Sequence, residues 1–154
     1  MGVSVGDEAP DFELSDQTGS KVKLSDFRGK QNVVLVFYPF TFTGVCQGEL
    51  CELRDDLSSF ATSDAQVLAV SCDSRFAQAK WAEEQGFGFP LLSDFWPHGA
   101  VSRAYGVFNE ERGCANRATF VIDKSGRVAD TFASADLGTA RARAEYEGAL
   151  AKLG

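Results

Sequence analysis

The stretch Val33-Val34-Leu35-Val36-Phe37-Tyr38-Pro39-Phe40-Thr41-Phe42-Thr43-Gly44-Val45-Cys46 decides how this chain folds. Its first six residues are unbroken apolar sequence, the pattern of a central strand buried on both faces. From Cys46 to Phe60, the apolar residues Leu50, Leu53, Leu57 and Phe60 recur at three- and four-residue steps, the stripe of an amphipathic helix. The junction therefore sets Cys46 in the first turn of a helix that leaves a buried strand. Orphan backbone N–H groups and the positive end of the helix dipole meet a sulfur at that position. Such surroundings favour the thiolate, which is the nucleophilic form. Thr43 adds a hydroxyl three residues upstream, and Pro39, seven upstream, walls off water.

Working outward, Phe12 to Leu14 and Lys21 to Leu24 read as short strands around the turn Asp16-Gln17-Thr18-Gly19, an N-terminal hairpin. Gln66 to Ser71 is a second central strand. Ser74 is placed to cap a helix through Trp81 to Gln85 that stops at Gly86. Pro90 to Leu92 reads as a short strand, and a helical turn over Ala100 to Tyr105 ends at Gly106. Ala118 to Ile122 and Arg127 to Phe132 form a hairpin about Asp123-Lys124-Ser125-Gly126. A last helix, about Thr139 to Leu153, presents Tyr146, Leu150 and Leu153 inward. Strands alternating with helices predict an α/β fold with a mixed central sheet covered by helices on both faces. This order resembles a thioredoxin fold with insertions.

At 154 residues, with 44% hydrophobic residues and 13 Phe, the chain suits one domain spanning 1–154. No repeat or Pro/Ser/Gly linker divides it. The formal charge of -7 argues against nucleic acid and against anionic membranes as partners. No stretch approaches the ~18 apolar residues of a membrane span. Met1 to Asp7 has neither the basic nor the apolar region of a secretion signal, so the expected compartment is the cytoplasm. Thiols are kept reduced there, and four cysteines then point to catalysis, redox activity or simple burial rather than a disulfide frame.

A thiolate at a helix N-terminus can attack a disulfide, an acyl carbonyl or a peroxide, and the neighbouring residues discriminate. Acyl transfer wants a histidine base; the one histidine, His98, lies in the largely apolar Phe95-Trp96-Pro97-His98 and reads as structural. A thioredoxin-type site wants Cys-x-x-Cys, and position 49 is Glu. No closely spaced Cys or His pairs offer a zinc site, so no metal is expected. Peroxide reduction needs only a thiolate and donors for the leaving oxygen. Thr43, the N–H groups of Val45 and Cys46, and one guanidinium suffice.

Pro39-x-x-x-Thr43-x-x-Cys46 resembles the active-site motif of peroxiredoxins residue for residue. Ala9-Pro10-Asp11-Phe12, Phe89-Pro90-Leu91-Leu92-Ser93-Asp94 and Asn116-Arg117-Ala118-Thr119-Phe120-Val121-Ile122-Asp123 agree with that family. Phe42 to Leu50, with Asp94 to Gly99, looks most like the actinobacterial alkyl hydroperoxide reductase E type. The likeness covers about Val3 to Phe132. It implies that Cys46 is the peroxidatic cysteine, that Thr43 hydrogen-bonds the sulfur and the attacked oxygen, and that Pro39 shields the sulfenic acid. It further implies that Arg117 holds thiolate and peroxide while Glu49 orients that arginine. A guanidinium suits the task because it stays charged and offers several fixed donors.

The resemblance thus implies a thiol-dependent peroxidase acting on hydrogen peroxide and organic hydroperoxides, with no metal, haem or flavin. Electrons would come from a thioredoxin-like or glutaredoxin-like protein or a small thiol, and the family expectation is a homodimer. Phe40, Phe42 and Trp96 suggest an apolar rim suited to alkyl hydroperoxides. The chain departs from the one-cysteine members of this type in carrying Cys51, Cys72 and Cys114. Cys46-x-x-x-x-Cys51 is similar to the spacing in bacterioferritin-comigratory-type peroxiredoxins, where the second cysteine resolves the first. Cys51 is therefore either a resolving cysteine or a small helix residue. Cys72 reads as a strand-end core residue, and Cys114, in the polar loop after Glu110, as a secondary candidate for resolution. Two other functions fit the same thiol: general thiol-disulfide exchange, and a non-catalytic redox-sensing or holdase-type binding protein.

Overall fold

The computed structural model describes residues 2–55, 64–134, 141, 143–151 and 153, with the side chains of 45–47, 143, 144 and 147 outside the description. Leu57, Phe60 and Thr139, read above as helix positions, also lie outside it.

Strands β1 (Glu13–Ser15), β2 (Lys21–Lys23), β3 (Asn32–Phe37), β4 (Ala65–Ser71), β5 (Leu91–Ser93), β8 (Ala118–Ile122) and β9 (Val128–Ala133) make one sheet in the order β2-β1-β5-β4-β3-β8-β9. β3, β4 and β5 run parallel, while β8 and β9 extend the sheet antiparallel on one side and β1 and β2 on the other. The sheet is therefore mixed, as the alternation of elements predicts.

β3 is buried along its whole length, and its side chains alternate between two cores. Val33, Leu35 and Phe37 pack with Phe12, Leu14, Val70, Tyr105 and Phe120. Val34, Val36 and Tyr38 pack on the other face with Leu50, Leu53, Trp81, Phe89, Tyr146 and Leu150. Helices α1 (Gly44–Asp55), α2 (Arg75–Gln85) and α4 (Arg143–Ala151) supply that second core, and α3 (Ala100–Ala104) supplies Val101 to the first. Helices thus cover both faces.

The punctuation of α2 follows from its sequence. Ser74 Oγ accepts from the N–H of Ala77, and Gly86 adopts φ 70° while its N–H caps the Ala82 carbonyl. A left-handed residue closes a helix best when it has no Cβ.

Two local readings are corrected. Leu24 does not extend β2 but opens a 3-10 turn, Leu24–Phe27, whose Ser25 N–H is drawn to Asp11 Oδ1 at 2.9 Å. The polar segment up to Cys114 is not all loop, because β6 (Phe108–Asn109) pairs with β7 (Cys114–Ala115). Asn109 Oδ1 accepts from the N–H groups of Glu111 and Arg112 and closes the turn between them. Two-residue strands are too short to show a period of two. Among the described residues, no helix is long and apolar enough to cross a membrane.

Candidate active site

The parallel strands β3, β4 and β5 end at one edge of the sheet, and the chain turns there from β3 into α1 through Tyr38 to Thr43. Loops at the carboxyl ends of parallel strands are the usual place for a site in an open α/β sheet. Polar ties hold this corner. The N–H of Thr41 donates to Asp73 Oδ2 at 2.9 Å, and Ser71 Oγ donates to the same oxygen at 2.7 Å. Gln78, fully buried in α2, donates to Ser71 Oγ and to the Leu92 carbonyl. The loop after β3 is thus fastened to the ends of β4 and β5.

Phe42 takes φ 64°, a left-handed conformation that costs a residue with a side chain about 1–3 kcal/mol and persists only where surroundings enforce it. Its ring packs 6.2 Å from that of Trp81, between the fixed backbone of Thr41 and the start of α1. The sharp reversal starts the helix at Gly44 and puts position 46 in its first turn.

Pro39 is buried and Thr43 is exposed. Thr43 Oγ1 donates to the Phe40 carbonyl at 2.9 Å, which leaves its lone pairs to accept a hydrogen bond from a ligand. The backbone of Val45 and Cys46 belongs to α1, and their side chains lie outside the description. Phe40 and Phe42 are 40% and 51% exposed and Trp96 is 80% exposed, so the three apolar groups read as a rim do reach the surface.

Arg117 arrives by register. β8 pairs antiparallel with β3, Ala118 opposite Phe37, so the residue before Ala118 stands beside the end of β3, just ahead of Pro39. Arg117 is 3% exposed, and its Nη1 lies 3.9 Å from Glu49 Oε1. Glu49 is equally buried on α1, and Arg141 holds it more closely. The backbone N–H of Arg141 donates to Glu49 Oε2 at 2.6 Å, and Nε lies 2.9 and 3.1 Å from the two carboxylate oxygens. Nη2 also bonds Oε1, while Nη1 donates to the Phe37 carbonyl at 2.7 Å. The structure thus brings Glu49 and Arg117 together and adds Arg141, which the sequence reading missed. The signal for such a partner was Glu49 itself: it stands on the side of α1 that carries Leu50 and Leu53, and a buried carboxylate requires a cation.

The remaining cysteines differ in setting. Cys51 is half-buried, its Sγ 3.7 Å from Gln85 Oε1. Cys72 follows β4 and is 6% exposed; burial first, then the charge of Asp94, pushes its thiol up to about 12. Cys114 is fully buried in β7, so attack on another sulfur would require that small sheet to open. His98 has Nδ1 3.2 Å from the Phe95 carbonyl and Nε2 2.7 Å from that of Gly113. It fastens the Phe95 loop to the β6–β7 turn, a structural task.

The AhpC/TSA family profile matches residues 5–131. Alkyl hydroperoxide reductase E of Mycobacterium tuberculosis is 57% identical over 126 residues, 82% of this chain and 82% of that protein. Peroxiredoxin Bcp of Bacillus subtilis is 40% identical over 134 residues, 83% of each. Among solved structures, peroxidoxin BcpB from Mycobacterium tuberculosis superposes with a TM-score of 0.86 at 38% identity, covering 98% of this chain and 96% of that one.

Proposed function

Because the chain belongs to the AhpC/TSA family, the peroxiredoxins, and is a thiol-dependent peroxidase with a thioredoxin-like fold, we propose that Cys46 is the thiol its peroxide oxidises. The supporting observation is the meeting of two distant segments at the helix that carries Cys46. Pro39-x-x-x-Thr43-x-x-Cys46 forms the β3–α1 corner, and the register of β8 delivers the buried Arg117 to Glu49, three positions after Cys46 in α1.

In this reading the Cys46 thiolate attacks the terminal oxygen of R–O–O–H in line with the O–O bond. The S–O bond forms as the O–O bond breaks, and the electron pair leaves on RO⁻, which takes a proton to become an alcohol, or water when R is H. Sulfur is oxidised to the sulfenic acid and the peroxide is reduced by two electrons. Thr43 Oγ1, its own proton directed at Phe40, accepts a hydrogen bond from the peroxide O–H and fixes its approach. Arg117 and the first N–H groups of α1 favour negative charge on sulfur and on the departing oxygen. Pro39, buried against the end of β3, limits water at the sulfur.

A thiol then attacks the sulfenic sulfur, water leaves, and a disulfide results. Cys51 is the internal candidate; a thioredoxin-like or glutaredoxin-like protein or a small thiol completes the reduction. The whole chain, 1–154, works as one domain in the cytoplasm, and as a homodimer. Sedimentation velocity of the purified protein tests the last point, with a single species of twice the chain mass expected.

Stopped-flow consumption of hydrogen peroxide and of an alkyl hydroperoxide tests the assignment. Cys46→Ser abolishes turnover with every reductant. Arg117→Ala slows it by at least ~100-fold, the scale of removing a donor from a developing oxyanion, with the circular dichroism spectrum unchanged. Full activity in Cys46→Ser would overturn the assignment.

A further inference from the structure

Resting on that reading of Cys46 and Thr43, we infer that Asp73 is a positioning residue for the reaction with peroxide. Its carboxylate, set by Ser71 and Gln78, holds the turn that aims Thr43. Asp73 acts through Thr43 rather than on the reacting atoms.

The contacts run inward from Thr43. Its neighbour Phe42 holds φ 64°, a conformation that relaxes unless the surroundings enforce it. On one side the Phe42 ring rests against Trp81. On the other, the N–H of the buried Thr41 donates to Asp73 Oδ2 at 2.9 Å. Asp73 lies between β4 and α2 and is only half-buried, so its own aim has to be imposed. Ser93 Oγ, in the last residue of β5, donates to its main-chain carbonyl at 2.6 Å. Ser71 Oγ donates to Oδ2 at 2.7 Å. Gln78 Nε2 donates to that hydroxyl oxygen at 3.0 Å, and the Asp73 N–H approaches it at 3.4 Å. With its lone pairs so occupied, the Ser71 proton is directed at Asp73.

Gln78 is kept at a cost. It is fully buried in α2, and among the described residues its Oε1 has no hydrogen-bond partner. An unpaired amide oxygen in the interior is unfavourable, and methionine would fill a similar space without one. Packing alone does not select glutamine here. What the amide supplies is donors, to Ser71 Oγ and to the Leu92 carbonyl. Local rules of burial are broken mainly where function requires it, and this breach leads to Asp73 and the turn before Thr43.

Two rates measured on the reduced full chain separate aim from fold. One is oxidation of Cys46 by hydrogen peroxide; the other is its alkylation by iodoacetamide, which needs no hydrogen-bond acceptor at Thr43. Asp73→Ala slows oxidation by about 10- to 100-fold, the upper figure being the scale of a ~1 Å misplacement, and leaves alkylation within about twofold of wild type. Asp73→Asn, whose amide oxygen accepts from the same two donors, restores most of the oxidation rate. Thr43→Val is slow, and adding Asp73→Ala slows it little further, because residues acting through one another are not additive. Unchanged oxidation in Asp73→Ala, equal slowing of both its rates, additive losses in the double variant, or Asp73→Asn no faster than Asp73→Ala would each overturn the inference. Should Asp73→Ala fail to fold, Ser71→Ala decides: oxidation slowed with alkylation spared supports the role of Asp73, and unchanged oxidation overturns it. Wild-type speed in Thr43→Val would instead defeat the underlying reading of the site.

Discussion

Burial separates Cys72 and Cys114 from the half-buried Cys51. Cys72, 6% exposed and with its thiol pushed up to about 12 by burial and by Asp94, is a neutral thiol throughout the physiological range. We expect peptide-resolved alkylation at pH 8 to modify Cys46 at least ~100 times faster than Cys72, because each unit of pKa difference changes the thiolate fraction tenfold. Comparable rates would contradict this assignment of environments. The arginines show what a sequence discloses at this scale. Arg117 was legible because a family motif surrounds it and a strand follows it. Arg141 was not: its partner Glu49 lies 92 positions away, and nothing in Thr139-Ala140-Arg141-Ala142-Arg143 marks one arginine as buried. Only the need of an inward-facing carboxylate for a cation pointed to it.

At the level of elements, α1 carries both Cys46 and Cys51 in an unbroken helix from Gly44 to Asp55. Positions five apart on a helix point about 140° away from each other, from its 3.6 residues per turn. A disulfide tolerates Cα separations of no more than about 7 Å, so resolution by Cys51 requires the first turns of α1 to unwind. The clasp of Arg141 on Glu49 opposes that unwinding. After one equivalent of peroxide, peptide mapping should find a Cys46–Cys51 disulfide and a loss of helical circular dichroism that reverses on reduction. A lasting sulfenic acid at Cys46 beside an unmodified Cys51 would leave resolution to an external thiol. The β3–α1 corner and the caps of α2 were legible because their causes are local: an apolar run, a serine, a glycine. The β6–β7 pair was not, because its two-residue strands are held by a turn around Asn109 rather than by any pattern of their own.

Across the whole molecule, the sheet places the site. β3 lies between β4 and β8, so the corner after it receives Asp73 from one neighbour and Arg117 from the other. Behind it stands a core of large aromatic groups: Trp81, fully buried, packs against Tyr38, Phe42 and Phe87 at 5.6, 6.2 and 5.0 Å. Trp81→Ala should destabilise the protein by about 3–5 kcal/mol through lost contacts and a cavity, measured by urea unfolding, and slow turnover by releasing the Phe42 turn. A change below ~1 kcal/mol would mean that the core tolerates collapse there. The alternation of strands and helices made the mixed sheet legible; which side chains converge at its edge depended on register, which periodicity alone does not specify. The central claim, that peroxide oxidises the sulfur at position 46, is tested most directly by trapping. Protein treated with one equivalent of hydrogen peroxide in the presence of a sulfenic-acid-specific nucleophile, then digested and weighed peptide by peptide, should carry the adduct on Cys46 and on no other cysteine. An adduct confined to Cys51, Cys72 or Cys114, with Cys46 recovered unmodified, would contradict the account.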